Sequence, residues 1–434
     1  MNILNLPHLK VLHIDQTEDD YTIRAEMASP PILCPHCFKR DFVGFGRKEQ
    51  LFMDLPIHGK RVGILVNRRR YRCKVCGKTF LELLPDMDEK RLATTRLIEY
   101  VQKQSLKRTF ASISEDVGLD EKTVRNIFRD YVTHLEKTVR FATPEYLGID
   151  EIHIIHPRCV VCNVKDKTII NILQNRNKET VIKYLLELPD RDRIKYVSMD
   201  MWQPYRDAVK LVLPQAKIIV DKFHVLRMAN QGVETVRKDI RANMTAKQRR
   251  TLMHDRFVLL KRRHELKEAE FLKLESWTKN LPDLGKAYEL KEEFFLVYES
   301  KNQAEAIERY NAWLSKVTDE VYCAFEPLIT AVTNWHQEVF NYFNHPITNA
   351  YTESLNGLIR VMNRLGRGYS FEALRAKILF TEGLSKSKRS LYRRQNRQPI
   401  MNRMVIAETP IDYQNWDTGI PITTLIEFIK KGKI

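Results

Sequence analysis

The sequence predicts an α/β chain: a mixed-sheet domain interrupted by a large all-helical insertion, preceded by a cysteine-rich β module and a helical pair. Three observations carry that expectation. Four of the seven cysteines form two Cys-x-x-Cys pairs near the N-terminus. Between positions 144 and 221, β-branched runs alternate with amphipathic stretches, and three of the runs close on aspartate. From 225 to 345 the chain is charged, helix-forming and nearly free of glycine. At 434 residues it exceeds one ordinary compact domain, so two or three are expected.

Composition narrows the function classes. Hydrophobic residues make up 43% and aromatics 9%, enough for packed cores, which excludes wholesale disorder. The formal charge of +17 points to a polyanionic partner, because Lys and Arg neutralise phosphates and release condensed counterions. No stretch approaches the roughly 18 uncharged apolar residues of a spanning helix. Met1 to Lys10 lacks a charged leader followed by an apolar run, so neither membrane insertion nor secretion is expected. Seven cysteines, four of them in two Cys-x-x-Cys pairs, suit thiolate metal ligation in a reducing cytoplasm better than disulfides.

Cys34-Pro35-His36-Cys37 and Cys73-Lys74-Val75-Cys76 read as the two knuckles of a zinc ribbon. Two intervening residues let both sulfurs face one ion across a tight turn, and a second knuckle completes a tetrahedral four-thiolate shell. One structural Zn²⁺ follows, with Gly77 supplying the loose backbone and His36 and His58 as bystanders. Arg61 to Val66 and Arg68 to Arg72 read as extended segments between the knuckles. A third pair, Cys159 and Cys162, sits in a β-rich run and is expected to be buried in a strand rather than metal-bound.

Residues 91 to 140 carry helical periodicity, and Thr109 to Tyr131 fit a helix-turn-helix. Ile113 and Val117 face inward on the first helix, Gly118-Leu119 make the turn, and Asp120 caps the second helix, with Val124 and Ile127 buried. Lys122, Thr123, Arg125, Asn126 and Arg129 then form an outer face able to enter a DNA major groove.

Beyond Pro144 the order is three strands, helix, strand, helix, strand. The strands are Tyr146 to Asp150, Cys159 to Val164, Thr168 to Leu173, Tyr196 to Asp200 and Lys217 to Asp221. Strand-terminal Asp150, Asp200 and Asp221 can converge on one side of a sheet, as the oxygen ligands of a hard cation must. A single such Asp is more often a turn or cap residue.

The stretches Leu147 to Glu151, Asp200 to Tyr205 and Asp221 to His224 resemble the ISL-three family of bacterial insertion-sequence transposases. So do Thr348 to Gly357 and Asn363 to Tyr369. The resemblance spans roughly residues 30 to 390 and includes the order of zinc ribbon, helix-turn-helix and catalytic domain. It implies an RNase H-like fold with a DDE site. Asp150, Asp200 and Glu353 would hold two Mg²⁺ (or Mn²⁺) ions for cleavage and strand transfer at transposon ends. Asp221 and His224 look like a supporting Asp-x-x-His element, and Asp221 stays open as the rival to Asp200. Thr348 or Asn349 would cap the helix carrying Glu353, with Asn356 on the same face.

The implied organisation is a zinc-ribbon DNA-binding domain over 1–88 and a helix-turn-helix DNA-binding domain over 89–142. The catalytic domain follows over 143–224, then the all-helical insertion over 225–345. The last catalytic helices, with Glu353, cover 346–400, and a tail of unassigned role covers 401–434. Trp277, Trp313 and Trp335 are expected as core anchors, and the basic run 386–397 as a DNA-backbone strip or a solvated helix. The expected partner is double-stranded DNA, both transposon ends and target. Synapsis of two ends implies at least a homodimer on DNA, in a bacterial cytoplasm at the nucleoid. Two other readings compete: a transposase-derived DNA-binding regulator without catalysis, and an RNase H-like nuclease without strand transfer.

Overall fold

The structure, a computed structural model, describes residues 4–242 and 244–382; the basic run at 386–397 and the tail from 401 lie outside the described residues. The first sheet contains β1 (Leu9–Gln16), β2 (Asp20–Met27), β3 (Phe42–Ile57), β4 (Lys60–Cys73), β5 (Thr79–Leu81), β6 (Met87–Asp88) and β7 (Ala93–Thr94). Its order is β1-β2-β4-β3-β7-β6, with β5 beside β4. The long hairpin β3–β4 turns at His58 and Gly59, both at positive φ, the backbone of a two-residue type I′ turn. Along β4, Val62, Ile64, Val66 and Arg68 alternate inward and are all buried. Arg68 is tolerated because its guanidinium donates to the Glu82 carbonyl, Gln50 Oε1 and Glu89. This sheet takes in β7, so it extends past residue 88 to Thr94.

Three helices follow: α1 (Thr95–Ser105), α2 (Phe110–Val117) and α3 (Glu121–Thr138). Each starts at a side-chain cap: Thr94 accepts from Leu97 N–H, Thr109 from Ser112 N–H and Asp120 from Thr123 N–H. Gly118 ends α2 at φ +71, where a Cβ would also run into the Met53 side chain. Ile113, Val117, Val124 and Ile127 are buried in one core with Ala376 and Phe380 from the far end of the chain.

The second sheet comprises β8 (Tyr146–Ile154), β9 (His156–Asn163), β10 (Thr168–Leu173), β11 (Tyr196–Met199) and β12 (Lys217–Val220). Its order is β10-β9-β8-β11-β12. β8, β9 and β10 are antiparallel, while β11 runs parallel to both β8 and β12. Strand β8 does not stop at Asp150, as the sequence suggested, but continues to Ile154 against β9. Helices α4 (Lys178–Glu187) and α5 (Gln203–Val212) connect the parallel strands and pack on one face. Cys159 and Cys162 are buried strand residues.

The segment after β12 is helical: α6 (Lys222–Ala242), α7 (Ala246–His254), α8 (Arg256–Leu260), α9 (Glu268–Asn280) and α10 (Pro282–Val297), then α11 (Gln303–Leu314), α12 (Asp319–Asn334) and α13 (His336–Phe340). Trp313 and Trp335 are buried in its core, and the Trp277 indole donates to Asp255. Lys261 and Arg262 pair with Glu270, Glu292 and Glu299. Helices α14 (Ala350–Gly366) and α15 (Phe371–Glu382) then cover the other face of the second sheet, where Leu355, Ile359 and Ile378 meet Ile152, Val160 and Ile172. Among the described residues no helix is long and apolar enough to cross a membrane.

Candidate active site and zinc centre

Strand register places the acids. Met199 pairs with Ile149 on one side and Val220 on the other. The residues that follow are Asp150, Asp200 and Asp221, so the three stand abreast, Asp150 midway along β8 and the other two just past the ends of β11 and β12. Registered neighbours point the same way about 4.8 Å apart, and a slip of one residue would send one side chain to the opposite face.

His224 sits in the first turn of α6 and returns to this edge, with Nε2 3.0 Å from Asp200 Oδ1. Ligand atoms of Asp150, Asp200 and His224 all lie within 4.8 Å of one another. From α14, Asn356 Nδ2 donates to Asp150 Oδ2 at 2.8 Å and to the Glu151 carbonyl at 3.3 Å. Asn356 Oδ1 is buried without a hydrogen-bond partner among the described residues. Two carboxylates with an imidazole beside them form a donor set that fits a divalent cation.

The electrostatics agree with that fit. Burial, and then the neighbouring Asp200 charge, push the Asp150 carboxyl from 3.8 up to about 7. Burial likewise raises Asp221, against the backbone N–H of Phe223. Burial disfavours the His224 imidazolium, but the hydrogen bond to Asp200 and its charge outweigh this and raise the pKa. A carboxyl raised in the folded state binds its proton more tightly there than in the unfolded chain. Its contribution to stability is therefore full below about pH 3.8 and is lost as pH rises through about 7. Without divalent ions, the thermal midpoint of the wild type should fall over that range more than that of Asp150→Asn. Calorimetry checks this, and equal falls would refute the role given to Asp150.

Glu353 and Asn356 diverge. Three residues advance a helix by roughly 300°, leaving their side chains about 60° apart. Asn356 is turned inward, whereas Glu353 is exposed in the first turn of α14, outside the group around Asp150. Asn349 occupies the N-cap position but makes no side-chain cap, contrary to the sequence expectation; its Nδ2 donates to the Ile149 carbonyl instead. The Asn356 bond supports a buried carboxylate, so Asn356→Leu should lower turnover on the order of 10- to 100-fold with DNA affinity unchanged. Full activity in that variant, measured by single-turnover cleavage, would remove Asn356 from the site.

Sequence reasoning singled out neither Arg176 nor Trp202. The guanidinium of Arg176 pairs with Glu151 and lies 4.3 Å from the Trp202 ring centre, at the wall of a cavity of about 450 Å³ that Gln203 and Asp207 also line. The one signal was the indole two residues after Asp200; nothing local marks Arg176.

At the ribbon, Cys34 Sγ is 3.8 Å from Cys76 Sγ and Cys37 Sγ is 3.6 Å from Cys73 Sγ. Zn–S bonds of about 2.3 Å in a tetrahedron require S–S edges of about 3.8 Å. The two knuckles share one backbone form: Phe38 N–H donates to Cys34 O and Gly77 N–H to Cys73 O. Both donors sit at positive φ, +58 and +71. The backbone N–H of Cys76 pulls the Cys73 thiol down to about 7, toward the thiolate a metal needs.

On α3, Lys122, Arg125 and Arg129 are exposed and Asn126 is half-buried. Thr123 is engaged in the cap, its Oγ1 donating to Asp120 at 2.7 Å. Arg125 pairs with Glu121, and Arg129 donates to Asn126 Oδ1.

Comparison with known proteins matches three segments in the same order. Residues 30–76 match the profile described as the zinc-finger of transposase IS204/IS1001/IS1096/IS1165, and 82–132 the helix-turn-helix domain of transposase family ISL3. Residues 147–378 match the transposase domain of that family. The chain is 25% identical over 347 residues to the transposase for insertion sequence element IS1001 of Bordetella parapertussis, covering 78% of this chain and 85% of that protein. It is 26% identical over 302 residues to the transposase for insertion sequence element IS1557 of Mycobacterium tuberculosis, covering 62% and 67%.

Proposed function

The chain belongs to the ISL3 family of insertion-sequence transposases, enzymes of DNA phosphoryl transfer, and on that premise we propose how its residues divide the work. The observation that carries the proposal is the row of Asp150, Asp200 and Asp221 set by the strand register. The sheet order β10-β9-β8-β11-β12, with three antiparallel strands and two parallel ones, supports an RNase H-like catalytic fold.

Asp150 and Asp200 would hold two divalent cations, Mg²⁺ or Mn²⁺, together with Glu353, which lies exposed on α14 one turn before Asn356. Such a pair of ions supplies charge neutralisation at the attacked phosphate and acidity for water. Asp200 is preferred over Asp221 for the second position because its oxygen shares ligand distance with Asp150 and pairs with His224. Asp221, His224 and Asn356 hold the two acids in place. Water attacks the phosphodiester at the transposon end and releases a 3′ hydroxyl, which then attacks a target phosphodiester. Both are in-line displacements, so the protein acts by positioning and electrostatics, with no covalent protein nucleophile.

The zinc ribbon and the outer face of α3, with Lys122, Arg125, Asn126 and Arg129, bind the duplex ends; Thr123 supports that face through its cap. The working division is 1–88 and 89–142 for DNA recognition, and 143–224 with 346–400 for catalysis around the insertion at 225–345. A homodimer or larger assembly on DNA brings two ends together, in the bacterial cytoplasm at the nucleoid. The test is Mg²⁺- or Mn²⁺-dependent cleavage and joining on duplexes carrying the element's ends. Tight end binding with no cleavage under either metal would instead mean a DNA-binding regulator. Cleavage without joining would mean a nuclease.

A further inference from the structure

The motif Asn363 to Tyr369 has no part in the catalytic row, yet the structure gives it a defined shape. Tyr369 folds back so closely that a Cβ at Gly366 would strike its ring. Arg367 adopts φ +45 and Gly368 φ +115, so the α14–α15 connection is a tight turn that throws Arg364 and Arg367 outward. Across from them stands α3. Between the two lies an open groove of about 1180 Å³, lined on one wall by Arg125 and Arg129 and on the other by Arg364 and Arg367.

Charge decides what fits the groove. Of its three acids, Glu121 and Glu136 are already paired, with Arg125 and Arg375, and Glu372 lies in the first turn of α15, so among the described residues four arginines face one uncommitted carboxylate. Arg129, Arg364 and Arg367 have no carboxylate partner among the described residues; Arg129 reaches only Asn126 and Arg364 only the Arg360 carbonyl. Unpaired, planar guanidinium forks on two facing walls match phosphodiester oxygens.

The two walls are also held in place before any ligand arrives. Lys377 of α15 is buried and donates to the Ser105 carbonyl and, at 2.8 Å, to the Arg108 carbonyl. Its ammonium lies 4.6 Å from the ring centre of Phe110 and 4.8 Å from that of Tyr369. This pin joins the helix-turn-helix to α15, so little ordering cost remains to be met on binding.

We propose that the groove between α3 and the α14–α15 turn clamps the sugar–phosphate backbone of the duplex end whose bases the outer face of α3 reads. The proposal rests on the transposase reading and extends it. The clamp shares helix α14 with Asn356, which touches Asp150. Arg364 lies eight residues farther along, roughly 12 Å at 1.5 Å per residue. Backbone seated at Arg364 and Arg367 thus registers the end DNA against the catalytic acids.

The test is the salt dependence of binding by full-length, zinc-loaded protein to end duplex and to a scrambled duplex of equal length. Wild type is compared with Arg364→Ala, Arg367→Ala, the double variant and Asn126→Ala. Each lost phosphate contact should flatten the slope of log K against log salt by about 0.9, and the double variant by about twice that. Affinity should fall roughly 5- to 10-fold per arginine, equally on both duplexes, because backbone contacts carry no sequence information. Asn126→Ala should instead narrow the preference for the end sequence. An unchanged slope in the double variant, with wild type still preferring the ends, would overturn the clamp and leave the transposase reading standing. Wild type that shows neither end preference nor cleavage would overturn both.

Discussion

Asp150→Ala is expected to lower metal-dependent end cleavage by on the order of 10²- to 10³-fold or more, while affinity for end DNA stays within a few fold. Asp150 is buried, stands beside Asp200 and is bonded to Asn356, so no neighbour can replace its oxygens. The groups proposed to touch the ends lie on α3, the ribbon and the α14–α15 turn, away from Asp150, which is why binding should survive. Misfolding is a poor explanation for such a loss, since burial opposes ionisation of this carboxyl and its removal relieves that penalty in metal-free protein. Asp200→Ala and Glu353→Ala should behave alike, and Asp221→Ala should retain measurable activity. Cleavage of a labelled end duplex checks the set. Should Asp221→Ala be inactive and Asp200→Ala active, the second acid has been misassigned; an active Glu353→Ala would remove Glu353 from the metal shell.

The second large effect is at the ribbon. Purified protein should hold about one zinc per chain, and Cys73→Ser or strong chelation should abolish end-specific binding. Around the thiolates the core among the described residues is Phe80 with Phe42 and Tyr71, too small to order two knuckles alone. Structural zinc contributes on the order of 10 kcal/mol in such small modules, so its removal should unfold the knuckles outright. The rest of the first sheet has its own core in Phe52, Ile64 and Val66 and should keep its protection. Hydrogen exchange with and without metal reads this directly. Knuckle amides that stay protected after zinc removal would show that the metal is not what orders them.

What the sequence determined by itself was everything encoded over a few neighbouring residues. The Cys-x-x-Cys knuckles, the Asp120 cap and Gly118 turn, the order of the later strands and helices and the glycine-poor helical segment are local patterns, and all stand in the structure. Strands β1 and β2 drew no expectation: in β1 the adjacent Val11 and Leu12 break the alternation, whereas in β2 Tyr21, Ile23, Ala25 and Met27 alternate and were a readable signal. The tertiary structure alone decided the relations between distant segments. Strand register set Asp150, Asp200 and Asp221 abreast, and α14 brought Asn356 to Asp150 across 206 positions. It also left Glu353 exposed in the first turn of α14 and turned Asn349 away from its cap. Packing of α15 on the helix-turn-helix, pinned by Lys377, opened a groove that neither segment forms alone. Local periodicity encodes which face of an element is apolar; which element meets that face depends on burial summed over the whole chain.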